Sequence, residues 1–177
     1  MAASGEECFA ISVADVRAIP GRPGKVTFML RNRSSETLEF IKSALKVQRR
    51  LPRSRHALPS AGRGYSVVTA IEPGLTVNAR GEVPFVMNVD RRTGYGGVIP
   101  AEPPSAGEPE FFFAARLFYR RTNGELYETG VYRRLAYPDL AFSLIEAGHT
   151  HLNYAGVRTF SGANPQRSER PISAHIR

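Results

Sequence analysis

Alternating apolar and polar positions dominate the chain. Phe9, Ile11 and Val13 share one phase with Ala10 and Ser12 between them, a period-two pattern that predicts a strand. Asp15 breaks the phase, and Val16 and Ile19 resume it one residue late, which places a bulge near Ala14. Pro20-Gly21-Arg22-Pro23-Gly24 is a turn, and Val26, Phe28 and Leu30 mark a second strand from Lys25 to Asn32. A third element opens at Leu38 and runs to about Val47. It reads as a strand, although Leu38, Ile41 and Leu45 also fit helical spacing behind a Ser35–Glu39 cap.

The pattern then lapses. Residues 48–64 are rich in Pro, Ser, Gly and Arg and read as a long exposed loop. Tyr65, Val67, Thr69 and Ile71 alternate as a strand, and Glu72-Pro73-Gly74 is a turn. A further strand starts at Leu75 and Val77, kinks at Arg80-Gly81 and continues through Val83, Phe85, Met87 and Val89. Pro84 within it predicts an edge position or a bulge, because proline has no amide hydrogen for a ladder. A second loop fills 90–109. Glu110 to Arg120 is apolar on both faces and so belongs at the centre of the packing. Asn123-Gly124 between two alternating runs signals a hairpin whose second strand is Leu126 to Tyr137. Leu140 to Ile145 fits a short helix or a last strand, and residues 149–177, with few large apolar side chains, read as an extended arm.

About seven short strands without βαβ alternation predict an all-β antiparallel domain over residues 9–148, preceded by a flexible terminus at 1–8 and followed by the arm at 149–177. Ile71-Glu72-Pro73-Gly74-Leu75-Thr76-Val77, Val83-Pro84-Phe85-Val86-Met87, and the Leu30-Arg31-Asn32-Arg33-Ser34 end of the second strand resemble immunoglobulin-like and fibronectin-like sandwiches over roughly residues 9–137. The resemblance implies an immunoglobulin-like β-sandwich and no function, because this superfold hosts many. The Cys and Trp signature of antibody domains is missing.

Charge is unevenly spread. The formal net charge is +8, carried mainly by Arg, and no acid lies between Glu39 and Glu72. That stretch holds Lys42, Lys46, Arg49, Arg50, Arg53, Arg55 and Arg63. Guanidinium groups suit carboxylates and phosphates, so these residues are candidates for an acidic protein partner or nucleic acid. Aromatic residues that could stack on bases are absent from 42–64, which weighs against single-strand recognition. The arm is also basic, with Arg158, Arg167, Arg170 and Arg177 against Glu169, and Phe160 and Ile172 are its candidate docking anchors.

Catalytic signals are weak. His149-Thr150-His151 has ligand-like spacing but needs further ligands. Gly94-Tyr95-Gly96-Gly97 lacks the lysine and helix of a phosphate cradle. Cys8 has no nearby histidine. The expectation is a non-enzymatic structural or accessory subunit without metal or cofactor, which docks onto a larger assembly through its basic loop and arm. A viral particle component and an accessory subunit of a bacterial complex both fit. The alternatives are a nucleic-acid-binding domain using the same arginines, and a ligand or enzyme pocket between sheets. No apolar run reaches the roughly 18 residues that span a bilayer, Glu6 and Glu7 sit where a signal peptide would be cationic, and the single Cys8 forms no internal disulfide. These features point to the cytoplasm, or to the virion for a viral protein.

Overall fold

The computed structural model describes residues 10–51, 55, 58, 71–89, 97–144 and 150–157. Nine strands occur among them: β1 (Ile11–Ile19), β2 (Lys25–Asn32), β3 (Leu38–Arg50), β4 (Thr76–Val77), β5 (Glu82–Asn88), β6 (Glu110–Arg120), β7 (Leu126–Ala136), β8 (Ala141–Ser143) and β9 (Tyr154–Val157). A 3-10 turn at Thr150–Leu152 is the helical element of the described residues, and no described helix is long and apolar enough to cross a membrane. All register pairs are antiparallel. The order is β4-β3-β6-β7-β8-β1-β2-β5, with β9 added to β7.

This ribbon wraps around one core and nearly closes. β2 and β6 are not neighbours in the sheet, yet the rings of Phe28 and Phe113 are 5.4 Å apart. Phe28 also stacks on Phe85 at 5.3 Å, and Phe113 tilts against Phe142 at 6.1 Å. β8 makes the wrap continuous, since Ala141 pairs with both Ala136 of β7 and Arg17 of β1. The fully buried core takes alternate residues from each strand, as the period-two pattern requires: Ile11, Val26, Leu30, Leu45, Phe113 and Leu117 among them.

Several expectations carry through. β1 is bulged between Ala14 and Arg17, and Asp15 sits there at φ 52°, a left-handed conformation that aspartate tolerates better than most residues. β5 is an edge strand of the described sheet, so Pro84 removes no ladder bond from its interior. β6 lies between β3 and β7 and buries both faces. The third element is a strand, and Leu45 faces the core through alternation rather than helical spacing.

Others need correction. The loop expected from 48 starts later, because Gln48, Arg49 and Arg50 belong to β3, paired with Phe112, Phe111 and Glu110 of the more apolar β6. The strand expected over 75–89 is two strands at opposite ends of the ribbon. The break falls where Arg80 adopts φ 57° and Gly81 donates to the Asn78 carbonyl at 2.8 Å. Of the short helix and the last strand that both fit Leu140–Ile145, the described part forms the strand, β8. The strand expected over 65–71 lies outside the described residues except for Ile71, which is buried and held by Ser43: its amide donates to the Ser43 hydroxyl at 2.6 Å.

Asn32 and Glu36 tie the ends of the ribbon together. The Asn32 side chain is 2% exposed, and its amide nitrogen donates to the carbonyls of Glu36 (2.7 Å), Val77 (2.9 Å) and Asn78 (3.0 Å). Its oxygen accepts from the Ser34 amide at 2.9 Å and the Ser34 hydroxyl at 2.7 Å. One side chain therefore joins the end of β2, the approach to β3 and the exit of β4. The Glu36 carboxylate then reaches the β6–β7 hairpin, where it accepts from the Thr122 hydroxyl, the Thr122 amide and Arg121. The Thr122 bonds, with help from Arg121, hold its pKa below the ordinary carboxylate value. Glu125 is lowered too, first by the Asn123 side chain and then by Tyr127.

Two outcomes are expected. Asn32→Ala leaves buried carbonyls without donors and lowers unfolding stability by roughly 3 kcal/mol in urea titrations. Asn32→Asp, which turns a carboxylate oxygen toward the same carbonyls, lowers it further. The second concerns pH. Carboxylates with lowered folded pKa values give stability that is present above their unfolded values and lost as pH falls through the folded ones. Melting temperature should therefore drop on acidification below the ordinary carboxylate range, and Glu36→Gln should flatten that drop while leaving the neutral-to-alkaline limb parallel to wild type.

Candidate binding surface

The basic stretch divides by strand alternation. Beyond the bulge between Phe40 and Lys42, odd positions of β3 point to the core and even positions to the outer face, so Lys42, Lys46 and Arg50 line up on the outside while Arg49 lies at the core end. Lys42 is exposed and Lys46 half-buried. Burial and the Arg50 charge lower the Lys46 pKa. The Arg49 guanidinium lies 5.9 Å from the Phe111 ring centroid. It lines an open cleft of about 350 Å³ with Phe111, Val98, Pro100, Glu102 and Glu108. Across the Pro103-Pro104 ridge a second cleft of about 330 Å³ is lined by Arg134, Glu110, Leu135 and Tyr137.

The fold supplies the acids that this stretch lacks in sequence. Arg50 stands opposite Glu110 in the β3–β6 register, and Arg134 is 4.0 Å from the same carboxylate. Glu102 and Glu108 share the Arg49 cleft. Sequence reasoning missed these partners because they lie some sixty residues downstream in a segment whose path no local pattern fixes. Of the other nominated arginines, Arg55 is exposed, while Arg53 and Arg63 lie outside the described residues, as do Phe160 and Ile172. Arg49 and Arg50, adjacent in β3, thus point to opposite faces, and the fold adds Arg134 beside the Glu110 that stands opposite Arg50. His151 is exposed; His149 is outside the described set. Among the described residues no group of three His, Cys, Asp or Glu side chains is placed to hold a metal.

The outer face of β3-β6-β7 holds a second apolar cluster. Phe112, Ala114 and Tyr132 are buried there with Leu152 from the C-terminal segment, and Leu58 from the basic loop packs against them. Phe112 and Tyr132 stack at 5.3 Å. β9 pairs with β7 from Tyr127 to Gly130, and β8 takes Arg134 to Ala136, leaving a gap in the ladder between them. The Asn153 side chain fills it: its oxygen accepts from the Tyr132 amide at 2.8 Å and from Arg133. Glu128, only 9% exposed, receives Arg116 at 2.7 Å and the Tyr154 hydroxyl. Burial, followed by that bond to Glu128, pushes the Tyr154 hydroxyl up to about 12.

Gly130 makes this docking geometrically feasible. A Cβ there would come within 2.5 Å of the Tyr154 ring, 2.8 Å of the Leu152 carbonyl and 2.8 Å of Leu58. The ring could swing away, but the carbonyl cannot move without shifting the 3-10 turn. The signal for this site was present in the sequence as the apolar outer face of β6, Phe112 and Ala114. What would cover that face was not.

Gly130→Val should therefore leave the main core folded while releasing the C-terminal segment. Amide exchange at 154–157 should rise about a hundredfold, the magnitude of a local opening eased by about 3 kcal/mol. Unchanged exchange would show that the segment does not depend on this close approach. The chain matches no family model, and comparisons with curated proteins and with solved structures return no match.

Proposed function

We propose that the chain is a non-catalytic structural or accessory subunit of immunoglobulin-like design, which docks onto a larger assembly through its C-terminal arm and the arginines at the end of β3. The immunoglobulin-like reading rests on two antiparallel trios, β1-β2-β5 and β3-β6-β7, which face each other across the core. The observation that carries the docking role is the fastening of residues 150–157 to the sheet. β9, Leu152 and Asn153 hold Val157 beside Tyr127, next to the β6–β7 hairpin. A basic arm tethered to a rigid domain suits an acidic protein surface, with Phe160 and Ile172 as anchors. Arg49, Arg50 and Arg55, together with Arg53 and Arg63, add a second contact.

Nucleic acid is the second reading, favoured by the row Lys42, Lys46 and Arg50 on one strand face. Salt separates the two, because phosphate contacts release counterions and give a steep dependence.

The test compares the full chain, a chain ending at Val157, and a chain with all five arginines changed to Gln, each used to capture partners at about 50 and about 300 mM salt. The truncated chain should melt at the wild-type temperature and retain less than about a tenth of the bound partner. Equal capture by all three chains overturns the proposal. Bound material that absorbs chiefly at 260 nm and leaves at the higher salt replaces it with the nucleic-acid reading.

A further inference from the structure

The cleft beside Arg49 has walls that the fold holds in place. Ile99 is buried and bridges Gly21, whose amide donates to the Ile99 carbonyl at 3.2 Å. The Tyr137 hydroxyl donates to the Pro100 carbonyl at 3.3 Å. The Ser105 amide donates to the Glu108 carboxylate at 2.8 Å. Walls fixed in this way need little ordering when a segment enters. Val98, Pro100, Pro109 and Phe111 make much of the lining apolar, and its ions are Glu102 and Glu108 against Arg49. Both carboxylates are exposed, while Arg49 is half-buried beside the Phe111 ring. Across Pro103-Pro104, Arg134 and Glu110 offset each other. The cleft therefore suits an extended segment that presents one cation and one apolar side chain together.

We propose that this cleft holds the C-terminal arm of its own chain, with Ile172 against Phe111 and the prolines and Arg170 at Glu102 and Glu108. Three features select that segment. It is basic, with Arg158, Arg167, Arg170 and Arg177 against Glu169. Arg170 and Ile172 flank Pro171, which fixes its own φ and biases the residue before it to extended backbone. Side chains two apart in an extended chain lie on one side, about 7 Å from each other. The tether also reaches. Val157 pairs with Tyr127, and Ala136 beside the Pro103-Pro104 ridge lies nine residues along β7, roughly 30 Å away. Arg170 is thirteen residues beyond Val157 and can stand up to about 45 Å from it, which leaves slack for the chain to turn back.

Between separate molecules so small a contact is weak, with a dissociation constant on the order of 1 mM. The tether supplies an effective concentration in the millimolar range, which makes the docked form a populated state. The consequence rests on the docking role proposed above for the arm. The docked form withdraws Arg170 and Ile172 from a partner, so a partner that binds the arm must first displace it from the cleft. The contact within the chain is thus one that the assembly replaces.

A nitroxide spin label on Ser173→Cys, in the full chain with Cys8→Ser, tests it without any partner. The amide signals of Val98, Glu102, Glu108 and Phe111 should lose most of their intensity, while that of Thr27 on β2 keeps it. Glu102→Lys, at an exposed position, should keep the wild-type melting temperature and recover the lost signal. Arg170→Glu should recover it too, and the two charge changes together should bring the loss back. Cleft signals that stay intact overturn the proposal, and so does a loss that neither single variant relieves. Equal loss when label and isotope are on separate, mixed chains also overturns it, since the contact is then between molecules. The docking role is read separately, by partner capture with the chain ending at Val157. Intact cleft signals with capture still dependent on the arm sink this inference alone.

Discussion

The buried amide of Asn32 is the constraint on which the rest of the architecture depends. A sheet that wraps around one core must bring distant strand ends together, and each end exposes carbonyls with no ladder partner. Asn32 supplies donors to three of them, from Glu36, Val77 and Asn78, while its own oxygen is satisfied by Ser34. Buried polar groups persist only when paired, so this set of bonds fixes where β2 ends, where β3 begins and how β4 leaves. Glu36 extends the same junction to the β6–β7 hairpin. Two adjacent loops thereby register both halves of the ribbon against each other.

β6 is the second organising element. Its inner face, with Phe113 and Leu117, belongs to the common core, and its outer face forms a separate cluster with Tyr132. A strand apolar on both faces obliges the chain to provide a second cover. That cover is assembled from Leu58 in the basic loop and Leu152 in the C-terminal segment, admitted by the missing side chain at Gly130. Leu58 and Leu152, from the two regions nominated for function, thus meet at one patch.

Electrostatics changes most between the linear chain and the fold. A stretch of more than thirty residues without an acid suggests an unbalanced positive surface. Folding places Glu110 beside Arg50 and Arg134, and Glu102 and Glu108 beside Arg49, so the end of β3 is a mixed surface with proline walls. Lys42 and Lys46 are carried on the outer face instead.

The sequence by itself determined the elements whose evidence is local. Alternation located β1, β2, β6 and β7, the phase slip at Asp15 located the bulge, Asn123-Gly124 located the hairpin, and Pro84 marked an edge. Each follows from a preference expressed within a few residues: period-two burial, a left-handed turn, a missing amide hydrogen. Tertiary structure alone decided the rest. It carried β3 on through Arg50, because β6 offers Phe112 and Phe111 opposite Gln48 and Arg49 and Glu110 opposite Arg50. It split residues 75–89 between opposite ends of the ribbon, because a short β4 pairs with β3 while β5 pairs with β2. It turned Tyr154–Val157 into a strand, because Gly130, Glu128 and Tyr132 form a receptive edge and face that only the assembled sheet contains. Cross-strand partners, close approaches and charge compensation are relations between distant residues, and no window of sequence holds both members.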